Sequence, residues 1–386
     1  MNIAIVGGGI NGLCAAWMLA NSGHHITLYE RGRLMQETSS ASSKLLHGGL
    51  RYLENGGFRL VREALRERKF WIDNAPHLAR PLKLYLPVYH SSRRPAWQVR
   101  TGLVIYDILA GSSCLGRHRK EELSEFIQVH PDVKTSGVSA VYSYYDAQMD
   151  DQKLGMWVAG QAASAGVHIL EHHPVTGITT DGILSYRQPD KPDTEHFRRY
   201  DLIINIAGPW AERLLEDSGI KAQHQLDLVR GTHILFRQPT TYGYVFEVPG
   251  ERRIFFVLPY HGQTLVGTTE VRQTLDEPIA PSQEEQTYLL NAYNHYFSQQ
   301  RQPRDIAASF AGLRPLIKTA KAPDRATREY AIDEIEKVIT VFGGKWTTAR
   351  ALAQRLVHRV EAKEQNNSGG SKQPYPETDV PMDSDK

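Results

Sequence analysis

The sequence predicts an α/β fold: a parallel sheet flanked by helices and assembled from separated segments, with a β-rich antiparallel region inserted between them. Three observations predict it. Residues 3–20 read as a short apolar strand, a glycine-rich turn and a helix. From about residue 226 to 269 the texture turns to β, in the runs VRGTHILF, RRIFFVLPY and QTLVGTTE. A last strand, residues 337–342, leads into GGKWTT and a second helix start, so the first sheet is completed by chain from the far end.

In order, residues 3–6 are followed by Gly7-Gly8-Gly9-Ile10-Asn11-Gly12, a helix to about Ala20, and a second strand, HITLYE, ending at Glu30. Strand, G-x-G-x-x-G, helix, strand, acidic residue is the fingerprint of a Rossmann-like dinucleotide site. Gly7 permits the tight turn, Gly9 lets backbone approach a pyrophosphate, and Gly12 lets helix and strand pack. The helix N-terminus, with Asn11 in its first turn, faces the phosphates. Glu30 would accept from a ribose hydroxyl and would repel a 2′-phosphate.

Residues 39–54, SSASSKLLHGGLRYLE, combine serines, a lysine, a histidine, a glycine pair and an arginine, which suits phosphate oxygens and not a packed core. Residues 58–72 read as an amphipathic helix, with Phe58, Val61, Leu65 and Ile72 on its apolar stripe. Arg59, Arg62, Arg66, Arg68 and Lys69 form a solvated basic face. Pro76, Pro81 and Pro87 break that pattern, and the chain to about Tyr142 carries no clear assignment. Arg93-Arg94-Pro95-Ala96-Trp97 reads as a surface turn with an anchoring tryptophan. YYDAQMDD precedes a helix over residues 152–165, with Asp150 or Asp151 as N-cap. A strand at 166–170 and a polar hairpin or loop at 189–199 follow. Residues 201–206 form a buried strand running into Ala207-Gly208-Pro209 and another helix start, a second junction that would close the nucleotide domain over its cofactor. Residues 283–297 are helical, 309–316 return to the sheet, and the polar tail over 361–386 is expected to be disordered.

The length of 386 residues exceeds what a single core usually serves. The expected division is a nucleotide domain of residues 1–75, 143–222 and 325–360, and a substrate domain of residues 76–142 and 223–324. A net charge of +2 is too small to point to nucleic acid. Cys14 and Cys114, far apart, make neither a disulfide scaffold nor a zinc site, so no metal is expected. The N-terminus lacks a basic leader, and no run reaches the ~18 apolar residues of a membrane span. A cytoplasmic location is expected, with peripheral contact to the cytoplasmic membrane left open. One fingerprint with a late glycine-rich helix start suits FAD better than NAD, because an extended flavin nucleotide needs protein along its whole length.

GGGING, SSASSKLLHGGLRYLE, YYDAQMDDQKL, NIAGPWA, VRGTHILF, LVGTTE, FAGLRPL and FGGKWTTAR together resemble, in order and spacing, the FAD-dependent glycerol-3-phosphate dehydrogenases. The resemblance spans about residues 1–355. It implies the fold of the D-amino-acid-oxidase-like flavoenzymes and oxidation of sn-glycerol 3-phosphate to dihydroxyacetone phosphate, with electrons passed through FAD to a quinone. It also implies contacts to FAD from Ser39, Ser40, Ser42, Ser43, Lys44, His47, Gly48, Ala207, Gly208, Gly343, Gly344, Lys345 and Thr347. The better-known members continue into a helical C-terminal domain, and here the sequence ends in its polar tail. Tyr260 and Glu270 stand where tryptophan and aspartate are expected, so the exact polyol phosphate stays open.

The chemistry of a phosphorylated alcohol agrees with that resemblance. Arg51, Arg314 and Lys345 are the expected cations for the phosphate, with Tyr52 and Thr269 as further substrate contacts. His233 is the candidate base and His47 its competitor. Two alternatives stand beside this reading: a flavin oxidase of an amine or 2-hydroxy acid using oxygen, and a catalytically silent flavin-binding subunit. The oligomeric state is not legible.

Overall fold

A computed structural model describes residues 1–318 and 330–367. Its first layer is a six-stranded sheet in the order Ala331–Ile335, Val338–Phe342, Leu202–Asn205, Asn2–Val6, His25–Tyr29, His168–Leu170. All neighbours are parallel except the first pair. The central strands read as unbroken apolar runs because both faces are covered. On one face the helices Ile10–Asn21, Asp151–Ser164 and Ala349–Asn367 bury Leu13, Leu19, Leu154, Val158, Leu352 and Leu356 against Ile3, Ile5 and Ile339. A three-stranded antiparallel sheet, Val175–Ile178, Ile183–Gln188 and Lys191–Arg199, supplies Ile178 and Leu184 to the opposite face.

The second layer is a ten-stranded sheet built around the long strands Ala79–Tyr89, Val138–Met149, Leu226–Phe236 and Ile306–Ile317. Gly243–Glu247 lies parallel to Ala79–Tyr89, and the remaining pairs are antiparallel. One face packs on the helix Gln283–Tyr296, which opens with a capping box between Ser282 and Glu285. The other packs on the helices Phe58–Asn74 and Ala96–Ala110.

Several expectations change. The strand Val138–Met149 crosses the expected domain boundary at 143, and Leu45–Leu46 belongs to the ten-stranded sheet. The boundary at 325 lies outside the described residues. The last helix continues past 360 to Asn367, so the first residues of the expected tail are helical; those from 368 on lie outside the described residues. The stretch without an assignment contains the strand Ala79–Tyr89 and the helices Ala96–Ala110 and Leu123–Val129. Trp97 opens the second of these elements and is 71% exposed, so it anchors nothing; Arg94 instead pairs with Glu54 and Glu247. On the helix Phe58–Asn74 the apolar stripe is shorter than expected, since Phe58 is exposed, and Arg68 on the supposedly solvated face is 1% exposed.

Candidate active site

A single cavity of about 900 Å³ runs along the junction of the two sheets, from Tyr29, Arg31 and Trp210 at one end to Arg314, Glu270 and Trp97 at the other. Its nucleotide end is made mainly of backbone. Gly7 adopts φ +118°, and a Cβ there would lie 2.8 Å from the Ile206 carbonyl oxygen. A Cβ on Gly12 would fall 1.9 Å from the Gly7 carbonyl oxygen, so only glycine lets the first helix sit on the first strand. Gly9 faces Ser39, whose hydroxyl accepts from the Ile10 amide at 3.0 Å and holds the serine loop against the helix start. Glu30 lines the cavity, and its carboxylate accepts from the Gly8 amide at 2.7 Å and the Gly32 amide at 2.8 Å.

Does this end fit a dinucleotide? Asn11 Oδ1 is buried with no hydrogen-bond partner, an orphan acceptor in the first turn of the fingerprint helix. A Cβ on Gly344 would meet the Asn11 amide group at 2.8 Å, so Gly343 and Gly344, both at positive φ, keep the facing wall open. Ala207 and Gly208 line the same stretch. At the outer end the Arg31 guanidinium lies 3.7 Å over the Trp210 ring and pairs with Glu37 at 2.8 Å. These features fit a bound FAD, and Arg31 and Trp210 were not expected from the motifs.

The serine segment divides differently from the expectation. Ser39, Ser42 and Ser43 line the cavity; Ser40 and Lys44 do not. Lys44 is 5% exposed, and its ammonium donates to Asp151 Oδ1 and to the Ser40 carbonyl, both at 2.7 Å. The Ser40 hydroxyl donates to the Met35 carbonyl, and Ser42 donates to Asp151 through its hydroxyl at 2.7 Å. Lys44 and Ser40 therefore fold the loop around a buried carboxylate and present nothing to a cofactor. Asp150 is the N-cap of the helix Asp151–Ser164, accepting from the Lys153 amide at 3.1 Å, which leaves Asp151 for this second task. Gly48 is a further correction: it does not line the cavity, and its amide donates to Tyr106 at 2.9 Å and to Asp146 at 3.2 Å. His47 lines the cavity and its amide approaches Thr347 Oγ1 at 3.4 Å.

At the substrate end Arg51, Tyr52, His233, Glu270, Arg314 and Lys345 line the same space. The Lys345 ammonium sits 3.8 Å over the Tyr52 ring. Arg314 donates to the Thr269 carbonyl at 2.6 Å and lies 3.6 Å from Glu270, which also faces Arg253 at 3.4 Å. A Cβ on Gly231 would meet the Arg314 guanidinium and Thr268 Oγ1, each at 2.6 Å, so glycine there is what lets Arg314 cross the sheet surface. Thr269 itself is 2% exposed; its hydroxyl accepts from the Thr232 amide at 2.8 Å and donates to Glu285 at 2.6 Å. It cannot reach a substrate by that hydroxyl, and it acts through the carbonyl that holds Arg314. His233 is stacked on Phe310 with ring centroids 4.9 Å apart, and its Nε2 lies 2.9 Å from Ser43 Oγ. Burial, with Lys44 and Arg314 adding to it, pushes its pKa down to about 3. The ring is therefore neutral at working pH, and its buried Nδ1 has no partner.

The comparisons agree with this architecture. The family model described as FAD dependent oxidoreductase matches residues 2–359. The chain is 37% identical over 375 residues to the D-erythritol 1-phosphate dehydrogenase of Brucella abortus, covering 93% of this chain and 73% of that protein. It is 35% identical over 372 residues to the glycerol-3-phosphate dehydrogenase of Pseudomonas aeruginosa, covering 93% and 71%. Among solved structures, the Bacillus halodurans glycerol-3-phosphate dehydrogenase complexed with FAD superposes with a TM-score of 0.76 at 24% identity, covering 95% of this chain and 65% of that one. The family match over nearly the whole chain and the two relatives place this protein among the FAD-dependent oxidoreductases, and FAD is its cofactor.

Proposed function

We propose that this protein oxidises the secondary alcohol of a phosphorylated polyol, converting sn-glycerol 3-phosphate to dihydroxyacetone phosphate. The observation that carries the reading is the lining of one cavity. Arg51, Arg314 and Lys345 are among the cationic side chains that line it, together with the buried His233, and it is continuous with the nucleotide cleft. Arg51 and Arg314 bind the phosphate dianion, each able to present a planar fork of donors, while Lys345 acts as a point charge beside Tyr52. His233 accepts the hydroxyl proton once a phosphate dianion beside Arg314 offsets the positive charge that adds to burial in lowering its pKa, and Ser43 Oγ holds the ring at 2.9 Å. His47 is the second candidate for that proton. FAD, when bound, accepts the hydride that leaves the carbinol carbon.

Glu270 and Tyr260 favour a second substrate of the same class, a four-carbon polyol phosphate. Glu270 lines the substrate end, and the Brucella relative is named for such a substrate. Electrons leave for a quinone. Among the described residues no helix is long and apolar enough to cross a membrane.

The test is anaerobic mixing of fully flavinated protein with sn-glycerol 3-phosphate and with D-erythritol 1-phosphate. Bleaching of the oxidised flavin band by either, followed by rapid reoxidation with a soluble quinone, is expected. A flavin that neither compound reduces overturns the reading. Reduction by an amine or 2-hydroxy acid, with hydrogen peroxide formed in air, would replace it.

A further inference from the structure

The Gly48 amide belongs to a buried polar cluster at the cavity wall, where Asp146 is among the lining residues. Gly48 donates to Tyr106 Oη at 2.9 Å and to Asp146 Oδ1 at 3.2 Å. Tyr106 donates to the same carboxylate oxygen at 2.5 Å, and Arg68 Nη1 donates to it at 2.9 Å. Arg68 is fixed in turn by the carbonyls of Tyr145 at 2.7 Å and Ser113 at 3.0 Å. Arg68, Tyr106 and Asp146 are 1%, 2% and 2% exposed, so the cluster lies in the interior.

A buried ion pair is a poor way to gain stability, since well-packed apolar side chains of the same volume often do as well or better. Its value lies in what it fixes. Here the helices Phe58–Asn74 and Ala96–Ala110 and the strand Val138–Met149 all converge on one peptide group. A Cβ on Gly48 would lie 2.5 Å from Tyr106 Oη and 2.6 Å from Leu65 Cδ2, so glycine alone brings that amide to the carboxylate. The next residue, Gly49, takes φ +77°, and the Tyr52 amide donates to its carbonyl at 2.8 Å, opening the 3-10 turn Leu50–Asn55 that carries Arg51. The cluster thus sets the origin of a short rigid path from Asp146 to Arg51.

We propose that Asp146, with Tyr106 and Arg68, is a positioning unit for the turn bearing His47 and Arg51, and that it governs binding of the substrate's phosphate rather than retention of FAD. The inference rests on the reading of Arg51 as a phosphate ligand. Reactive and binding groups need to be held within a fraction of an ångström by the groups behind them. Tyr106→Phe removes one hydroxyl and keeps the ring among its neighbours. Asp146→Asn removes the charge that organises the whole cluster.

The experiment titrates inorganic phosphate into the holoenzyme and follows the flavin difference spectrum, with FAD content and Tm measured on the same samples. For Tyr106→Phe, an increase of about three- to tenfold in the phosphate Kd at wild-type FAD content is expected, the loss of one well-placed hydrogen bond. Asp146→Asn should show a larger increase. Sulfite addition to the flavin, which reads the cofactor alone, should change little in Tyr106→Phe. A wild type that responds to phosphate and a Tyr106→Phe variant with the same Kd and a lowered Tm would reduce the cluster to a packing role and overturn the proposal. A wild-type holoenzyme that gives no phosphate response overturns the phosphate-ester reading and this inference with it. If Asp146→Asn does not fold, the Tyr106→Phe ratio alone decides.

Discussion

The two ends of the cavity are built from different materials. At the nucleotide end the surface is backbone: Gly7, Gly9, Gly12, Gly343 and Gly344 bring peptide groups close, and the Glu30 carboxylate is tied to the amides of Gly8 and Gly32. At the substrate end the surface is polar and charged side chains held by groups distant in sequence, among them Arg314 by the Thr269 carbonyl and the neutral His233 by Ser43. A backbone site fails by steric exclusion. A side-chain site fails by losing affinity or rate while the fold stands.

The largest effect expected from that contrast is at Gly12. A Cβ there would collide with the Gly7 carbonyl oxygen at 1.9 Å, a backbone atom that cannot move without shifting the first strand. Gly12→Val should give protein with no bound FAD and a markedly lowered Tm, measured by the ratio of flavin to protein absorbance and by thermal melting. Full flavin occupancy in that variant would break the claim that this end is sterically specified.

Arg314→Ala comes next and tests the other end. Losing a charge-assisted contact to phosphate at this half-buried guanidinium costs about 2–3 kcal/mol, roughly 30- to 150-fold in KM for the phosphate ester. FAD content should be that of the wild type, because Arg314 contacts no part of the fingerprint. Unchanged kinetics would remove Arg314 from the site.

This division also explains what the sequence disclosed. The fingerprint was legible because its parts lie within 30 residues and each glycine has one steric reason; the parallel sheet followed from it. Arg51, Arg314 and Lys345, expected from residue type and family pattern, all line the cavity. What was missed depends on long-range pairing. Lys44 is taken by Asp151, more than a hundred positions away, Gly48 by Asp146, and Thr269 by Glu285. Local spacing cannot say whether a polar side chain faces a ligand or a buried partner. Arg68 made the same point on its helix, where periodicity placed it outside and Asp146 draws it in.

A third, smaller effect is a loss of stability in acid. Burial lowers the pKa of His233 to about 3 and that of His130 to about 4. Unfolding returns both to the ordinary value near 6.5, so the unfolded chain binds more protons below that pH. Stability contributed by the neutral rings is present above pH 6.5 and is lost as pH falls towards 4 and 3, at up to about 1.4 kcal/mol per pH unit for each ring. His130 lies within an aromatic cage of Tyr85, Phe126 and Tyr242, far from any proposed chemistry, and its Nδ1 is 2.8 Å from Tyr244 Oη. Urea unfolding at pH 7 and pH 5 should show a smaller pH difference in His130→Gln than in the wild type. An equal difference would mean that His130 titrates alike in both states.

The smallest expected effect is at Glu270, and it sharpens the substrate end most. Its carboxylate lies 3.6 Å from the Arg314 guanidinium, which in the proposed reading also binds the phosphate. A second negative charge beside a dianion works against binding, so neutralising it should strengthen the phosphate contact. At the effective dielectric of a partly solvated pocket this amounts to about 0.5–1 kcal/mol, roughly a two- to fivefold fall in KM for sn-glycerol 3-phosphate in Glu270→Gln. A substrate with one more hydroxyl gives the variant a second use. If the carboxylate accepts from that hydroxyl, Glu270→Gln lowers KM for the three-carbon ester and raises it for the four-carbon one. The ratio of the two KM changes then separates a charge that merely tempers Arg314 from one that reads the length of the polyol.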